Sequence, residues 1–337
     1  MSPRATPPRL ASIPVVRFTD IRGQERVIGF LRRAWEHGRL AHAYLFTGPA
    51  GIGKLATARA LALGLHCEVA PFEACGACSA CRTITAGTHP DVRIVTGPLE
   101  DKRDVSIEQV RDLQRELGYR SLSAHPKIGI VNDAEILTLQ AQNALLKTLE
   151  EPAGNSLLVL VAVNAASLAS TILSRCQRLV FDPLPTAAVT EVLGRHGRSG
   201  AEAAAVAAYA EGSPGRALAL DAEFFATRRR EILARLRSLR GQGFKQLTDF
   251  AQELGGEDAD LTLVLTVIAS WYRDALRRAV LGPGTMLQNA DLAGELPVAA
   301  AADSLRNLET TYGTMTALRH NANRNLALVR MLLRLTE

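Results

Sequence analysis

A glycine-rich stretch followed by a lysine carries phosphate-binding chemistry. Residues 48–55 read GPAGIGKL, with the G-x-x-x-x-G-K spacing of a P-loop. Glycines let backbone N–H groups turn toward a phosphate, and the lysine adds a charge for the β- and γ-phosphates. The predicted nucleotide-binding residues of this degenerate loop are Gly48, Gly51, Gly53, Lys54 and Leu55.

Leu55 departs from the P-loop pattern, which ends in Ser or Thr. The hydroxyl of that Ser or Thr normally binds Mg²⁺. The sequence therefore keeps the residues of a nucleotide-binding loop and lacks one metal ligand. It leaves open whether ATP or ADP binds without turnover.

A second metal-binding position is expected after the third predicted strand, where the chain reads IGIVNDAE from residue 128. Hydrolysis needs a carboxylate there for Mg²⁺ and usually a neighbouring one that orients water. Asn132 in the Mg²⁺ position is a neutral amide and a poorer ligand, and Asp133 then takes the water-orienting position. Alternatively, the register is shifted by one residue and Asp133 itself binds the metal.

Four of the five cysteines lie close together, with the spacing C-x7-C-x2-C-x2-C. This spacing favours structural Zn²⁺ bound by four thiolates within one short loop, and a disulfide is the weaker alternative in a reducing compartment. A helix from Lys54 to His66 is about 20 Å long, which separates the cluster from the phosphates. The predicted zinc ligands are Cys67, Cys75, Cys78 and Cys81.

Arginines supply two further candidates. Arg175 precedes the fifth predicted strand, and a lone arginine on a loop is usually solvated or paired. A basic run is predicted to form a solvated helix face, with DNA contact as the alternative. It comprises Arg228, Arg229, Arg230, Arg235, Arg237 and Arg240. The histidines are scattered singly and are expected to be ordinary surface or core residues.

Strands alternate with helices up to about residue 182, which predicts a parallel sheet covered on both faces. Beyond Pro183 and Pro185 every strong pattern is helical, and residues 261–280 form a predicted core helix. With 47% hydrophobic residues, a net charge of +5 and no apolar run long enough for a membrane span, the composition predicts a cytoplasmic globular protein.

Several stretches together resemble the clamp-loader branch of the AAA+ ATPases, over nearly the whole chain. They are the P-loop, the cysteine cluster, NALLKTLEEP at 143–152, SRC at 174–176, EGSPGRAL at 211–218 and NAN at 321–323. The resemblance implies α/β architecture: an AAA+ RecA-like parallel-sheet domain, a three-helix lid and an all-α collar. The expected boundaries are a disordered leader at 1–15, a P-loop domain at 16–183 with a zinc module at 67–81, a lid at 184–221 and a collar at 222–337.

Within that family, three departures favour a subunit that does not hydrolyse ATP. They are Leu55, the Asn132-Asp133 pair, and Ala162-Val163 where the ATPase has a polar sensor. Arg175 is then implied to act in trans as an arginine finger in a neighbouring ATP site. The implied partners are tau/gamma-type ATPase subunits and a delta-type subunit in a five-subunit ring, the sliding clamp, and primer-template DNA through the complex. An active clamp-loader ATPase and a stand-alone zinc-containing DNA-binding protein remain alternatives.

Overall fold

A computed structural model describes residues 16–97, 104–121, 123–221, 224–256 and 261–336. The leader predicted at 1–15 lies outside these residues. Among the described helices, none is long and apolar enough to cross a membrane.

A parallel sheet of five strands forms the centre of the N-terminal half, in the order β2-β3-β4-β1-β5. The strands are β1 (Ala43–Thr47), β2 (Val92–Thr96), β3 (Lys127–Asn132), β4 (Ser156–Ala162) and β5 (Gln177–Val180). The apolar β4 is buried along nearly its whole length in the middle of the sheet, as expected for a strand covered on both faces. The predicted α/β class and parallel sheet are confirmed.

Helices lie before, between and after the strands. They are α1 (Glu25–Glu36), α2 (Lys54–His66), α3 (Ser79–Thr85), α4 (Ile107–Gly118), α5 (Leu139–Glu150), α6 (Ser170–Leu173) and α7 (Thr186–Arg195). The α4 helix starts at a capping box, in which the Ser106 backbone N–H donates to Gln109 Oε1 at 3.0 Å. The α3 helix corrects the expectation that all four clustered cysteines lie in one loop, because Cys81 lies on it.

The chain divides into two compact units. The first takes the described residues up to Val192 together with Glu211–Arg216, and the second takes Leu193–Ala210 and the residues from Ala217 onward. The remaining helices are α8 (Gly200–Tyr209), α9 (Pro214–Ala219), α10 (Arg229–Ser238), α11 (Phe244–Leu254), α12 (Leu261–Leu281), α13 (Ala301–Arg319) and α14 (Arg324–Thr336). The finer division into lid and collar remains a prediction.

A buried polar network stabilises the second unit around α12, the predicted core helix. Asn289 is fully buried and accepts hydrogen bonds from Tyr209 Oη at 2.6 Å and from Arg229 Nη1 at 2.9 Å. Its amide donates to Asp274 at 2.8 Å. Arg229 also forms an ion pair with Asp291. The prediction that the whole basic run forms a solvated helix face is therefore wrong, since Arg229 is only 1% exposed.

Candidate functional site

A cavity of about 340 Å³ lies at the carboxyl ends of β1, β3 and β4. Ligands of open α/β sheets bind at this edge. The predicted residues Gly51, Gly53, Lys54, Leu55, Asn132 and Asp133 line the cavity, along with Glu135 and Val163. The fold thus brings the P-loop and the end of the third strand to one site.

The glycines of the loop are required by backbone geometry. Gly48 has φ +142°, and a Cβ there would lie 2.3 Å from the Phe181 carbonyl oxygen. Gly51 has φ +72°, and a Cβ there would lie 2.4 Å from Ser213 Oγ. Both positions therefore exclude a side chain on two grounds, steric and conformational.

A segment distant in sequence holds the loop in place. Ser213 Oγ donates to the Ala50 carbonyl at 2.8 Å, and the Gly215 N–H donates to the Gly51 carbonyl at 2.8 Å. Sequence reasoning did not predict these bonds. The segment stood out in the sequence only because the EGSPGRAL stretch is part of the family resemblance.

Lys54 is turned toward its own loop. Its Nζ donates to the Gly48 carbonyl at 2.7 Å and to the Pro49 carbonyl at 2.6 Å. Burial lowers the pKa of Lys54, while the nearby carboxylates of Glu135 and Asp133 oppose that shift. An ammonium has three donors, so one remains for a phosphate.

The acidic side of the cavity contains one residue that the sequence argument did not assign. Glu135 lines the cavity, and its Oε2 accepts a hydrogen bond from the Val163 N–H at 3.2 Å. Asn132 Nδ2 donates to Asp133 Oδ2 at 2.8 Å, and Asp133 adopts φ +54°. Burial raises the pKa of Asp133, Glu135 adds to the rise, and Lys54 opposes it. The sequence feature that could have identified Glu135 is the short turn after β3, because this turn brings Glu135 back to the edge of the sheet.

The four clustered cysteines come together at the far end of α2. Cys67 caps the end of α2, Cys78 begins α3, and all four Sγ atoms lie within 4.8 Å of one another. The intervening segment is attached to α2 at Gly64, where a Cβ would lie 2.3 Å from the Phe72 carbonyl oxygen. The cluster can hold a metal ion with four protein ligands.

Backbone N–H groups favour the thiolate form of Cys75 and Cys67. The N–H groups of Ala77 and Cys78 donate to Cys75 Sγ and lower the pKa of Cys75 to about 6. Burial raises the pKa of Cys67, but N–H donors from Cys75 and Ala70 outweigh it, and the net shift is downward. Burial raises the pKa of Cys81. A metal cation bound beside the sulfur would favour its thiolate form. The donor set fits Zn²⁺, for which four thiolates form a closed tetrahedral site.

Arg175 lies outside the cavity at the P-loop. Its guanidinium pairs with Glu150 at 2.7 Å and donates to the Thr171 carbonyl at 3.0 Å. The side chain is about one third exposed. Because Glu150 belongs to the NALLKTLEEP stretch, this ion pair joins two of the stretches that carry the family resemblance.

Two further observations concern Arg216 and the histidines. Arg216 pairs with Glu211 at 2.9 Å and does not line the cavity. The histidines were expected to be scattered, but the ring of His66 lies 4.8 Å from that of His89 and 5.5 Å from that of His125. Burial lowers the pKa of His66 to about 4, so this histidine is neutral at pH 7.

The parallel sheet, the glycine-rich loop after β1 and the cavity at the strand ends match the arrangement expected for the RecA-like domain of an AAA+ protein. Residues 23–185 match the family described as "DNA polymerase III, delta subunit". The chain is 39% identical over 170 residues to the DNA polymerase III subunit delta' of Bacillus subtilis, covering 50% of this chain and 51% of the relative. It is 43% identical over 151 residues to subunit delta' of Pseudomonas aeruginosa, covering 44% and 45%.

A subunit named tau also matches part of the chain. The chain is 34% identical over 174 residues to subunit tau of Bacillus subtilis, covering 51% of this chain and 30% of the relative. The chain spans about half the length, or less, of these curated relatives. Together the matches support the clamp-loader family, without separating its delta' and tau branches.

Among solved structures, the chain matches the Thermotoga maritima RuvB Holliday junction branch migration motor. That similarity has a TM-score of 0.42 and 16% identity and covers 90% of each chain. A DNA polymerase III gamma subunit-related protein from Thermotoga maritima has a TM-score of 0.38 and 18% identity, covering 93% of this chain and 98% of the other.

Proposed function

We propose that this chain is a delta'-type clamp-loader subunit that does not hydrolyse ATP and completes the ATP site of a neighbouring tau/gamma-type ATPase. The observation that carries the proposal is the composition of the cavity. An ATPase has Mg²⁺ ligands at two positions of this cavity. In this chain those positions are Leu55 and Asn132, and both residues line the cavity. An aliphatic chain and a neutral amide bind a hard cation poorly.

The position of Asn132 supports the same register as the sequence argument. Asn132 is the last residue of β3, and Asp133 follows it at the left-handed turn. The Mg²⁺-binding carboxylate is expected at the strand end. In this arrangement Asp133 is the water-orienting residue and the metal position carries no charge.

An active tau/gamma-type ATPase is the second candidate. Asp133 and Glu135 both line the cavity, and both act electrostatically on Lys54. Two carboxylates beside a P-loop lysine provide an alternative way to hold Mg²⁺ near a nucleotide. Measured ATP turnover separates the two candidates.

The isolated chain is expected to show no Mg²⁺-dependent ATP hydrolysis above the rate of its Lys54→Ala variant. The reason is that Leu55 and Asn132 leave the metal without its usual ligands. Phosphate release from purified wild-type and variant protein, with and without Mg²⁺, measures this. Turnover that requires Mg²⁺ and disappears in the Lys54→Ala protein would instead establish the ATPase.

A stand-alone DNA-binding protein is the third candidate, and the basic run gives it less support than the sequence suggested. Arg228 and Arg235 pair with Glu253, Arg237 pairs with Glu295, and Arg230 shares Asp291 with Arg229. Guanidinium groups that are paired within the chain are less available for phosphates.

We further propose that the cysteine cluster binds one structural Zn²⁺ per chain. Elemental analysis of the purified protein is expected to give about one zinc per chain. Cys78→Ser removes a ligand and is expected to lose most of the metal. Cys176→Ser, outside the cluster, is the matched control and is expected to keep it. Full zinc content in the Cys78→Ser protein would refute the site.

A further inference from the structure

The cysteine loop, residues 68–74, joins two of the predicted zinc ligands and carries one aromatic side chain into the core. Phe72 is fully buried, whereas Val69 of the same loop is 71% exposed. The Phe72 N–H donates to the Gly64 carbonyl of α2 at 2.8 Å. A loop of this length has few side chains of its own that can cover a ring, so the packing partners of Phe72 come from other elements.

These packing partners lie at the two ends of the N-terminal segment, residues 17–36. The Phe72 ring stacks on Phe18, which precedes α1, with the ring centroids 4.5 Å apart. It also stacks on Trp35 in the last turn of α1, at 5.3 Å. The Arg32 guanidinium lies 4.9 Å from the centroid of the same ring. Such contacts add to the free energy gained from burial, so Phe72 anchors both ends of the segment.

Polar contacts join the same two parts of the chain. Arg32 pairs with Glu73 at 2.5 Å, and Arg17 Nη2 donates to the Cys75 carbonyl at 3.0 Å. The side chains of Arg32 and Glu73 are each 40% exposed, and ion pairs of this kind contribute little. The buried ring of Phe72 is therefore the main contact between the cysteine loop and the N-terminal segment.

The backbone of the cysteine loop is strained where it holds this ring. Phe72 has φ +66° and Ala74 has φ +60°, in the left-handed region that residues with a Cβ rarely adopt. Such conformations persist only where the surrounding structure fixes them. The N–H groups of Ala70 and Cys75 donate to Cys67 Sγ at 3.3 and 3.2 Å. A metal ion bound by Cys67 and Cys75 together would close the loop at both ends and fix this conformation.

The N-terminal segment in turn contacts the P-loop. Gln24 is 3% exposed, and its Nε2 donates to the Asp182 carbonyl at 2.9 Å and to the Ile52 carbonyl of the P-loop at 3.4 Å. A Cβ at Gly53 would lie 3.8 Å from Ile21 Cγ2. The segment anchored by Phe72 thus includes residues that lie against the P-loop.

We propose that metal binding at the cysteine cluster anchors the N-terminal segment to α2 through Phe72. Cys67 and Cys75, when they share a metal ion, hold the two ends of the cysteine loop. The closed loop keeps Phe72 in its left-handed conformation, and the ring holds Phe18 and Trp35. Without the metal ion the loop relaxes, the ring leaves its partners and the segment loosens. This inference rests on the proposed zinc site and is independent of whether the chain hydrolyses ATP.

Trp35 reports on the anchor directly. The full chain is treated with excess EDTA under reducing conditions and desalted, and the remaining zinc and the tryptophan emission are measured on the same sample. As zinc is lost, the emission of Trp35 is expected to shift to longer wavelength, because its indole loses the contact with Phe72. Added zinc is expected to restore the emission. In the Trp35→Phe protein, the emission of Trp271 is expected to stay constant.

The outcomes separate this inference from the zinc site itself. A chain that holds no zinc, even after incubation with a zinc salt, overturns the zinc site and the anchor together. Loss of zinc without a change in emission overturns the anchor and leaves the zinc site standing. A shift of the same size in the Trp35→Phe protein would assign the signal to Trp271 and also reject the anchor.

Phe72→Leu removes the ring and keeps all four cysteines. This variant is expected to retain about one zinc per chain and yet to show the Trp35 emission of the metal-free protein. Backbone amides of the N-terminal segment are expected to exchange hydrogen about tenfold faster or more, as the loss of two aromatic contacts implies. Val69→Ala, at the exposed position of the same loop, is the matched control and is expected to behave as the wild type. Wild-type emission and exchange in the zinc-bound Phe72→Leu protein would reject Phe72 as the anchor.

Discussion

Arg175→Ala is expected to slow ATP hydrolysis by the assembled clamp loader by about 10²-fold or more, because an arginine finger stabilises transition-state charge. The isolated variant is expected to fold normally. Its ion pair with Glu150 is partly exposed, with the side chains 35% and 52% accessible, and such pairs contribute about 1 kcal/mol or less. The measurement is steady-state phosphate release by the complex reconstituted with tau/gamma-type partners.

Two control variants separate catalysis from structure. Glu150→Gln removes the ion pair and leaves the arginine, so it is expected to keep the rate of the assembled complex. Arg111→Ala, an exposed arginine on α4, is expected to have no effect. Equal slowing by Arg175→Ala and Glu150→Gln would assign the effect to the ion pair. A wild-type rate with Arg175→Ala would refute the role in trans.

Arg229→Ala is expected to destabilise the second unit by about 2 kcal/mol or more, since it removes a large buried side chain together with its hydrogen bond to Asn289. The guanidinium lies almost fully inside the unit, bonded to Asn289 and paired with Asp291. Its removal leaves a void and deprives Asn289 of a donor. Arg230→Ala is the matched control, because Arg230 pairs with the same aspartate at 3.3 Å but is 55% exposed, and its loss is expected to cost about 1 kcal/mol or less.

The unfolding of the second unit can be followed by its own tryptophan. The chain has two tryptophans, and Trp35→Phe leaves Trp271 on α12 as the remaining one. Urea unfolding of both variants in this background, followed by Trp271 fluorescence, gives the two free energies of unfolding. Equal losses in the two variants would show that burial of Arg229 adds nothing to its ion pair.

The local elements of the fold could be predicted because each depends on residues close in sequence. The capping box at Ser106 and Gln109 marks the start of α4, and the apolar run of β4 marks a central strand. The P-loop and the cysteine cluster could be predicted for the same reason, because a turn or a ligand set is determined within about ten to fifteen residues.

Features that depend on long-range contacts could not be predicted in this way. The bonds from Ser213 and Gly215 to the P-loop join residues more than 160 positions apart. The presence of Glu135 in the cavity depends on how the turn after β3 returns to the sheet edge. The hydrophobic and charge patterns of each segment carry no information about its partner across such separations.

The sequence by itself therefore determined the parallel-sheet class, the degenerate phosphate loop and the four-cysteine cluster, because spacing along the chain sets these features. Only the tertiary structure decided that Arg229 is a buried core residue, although the other arginines of the same basic run are half-buried or exposed. The physical reason is that burial and pairing are properties of the packed helices, and six arginines that look alike in sequence differ in what packs against each of them.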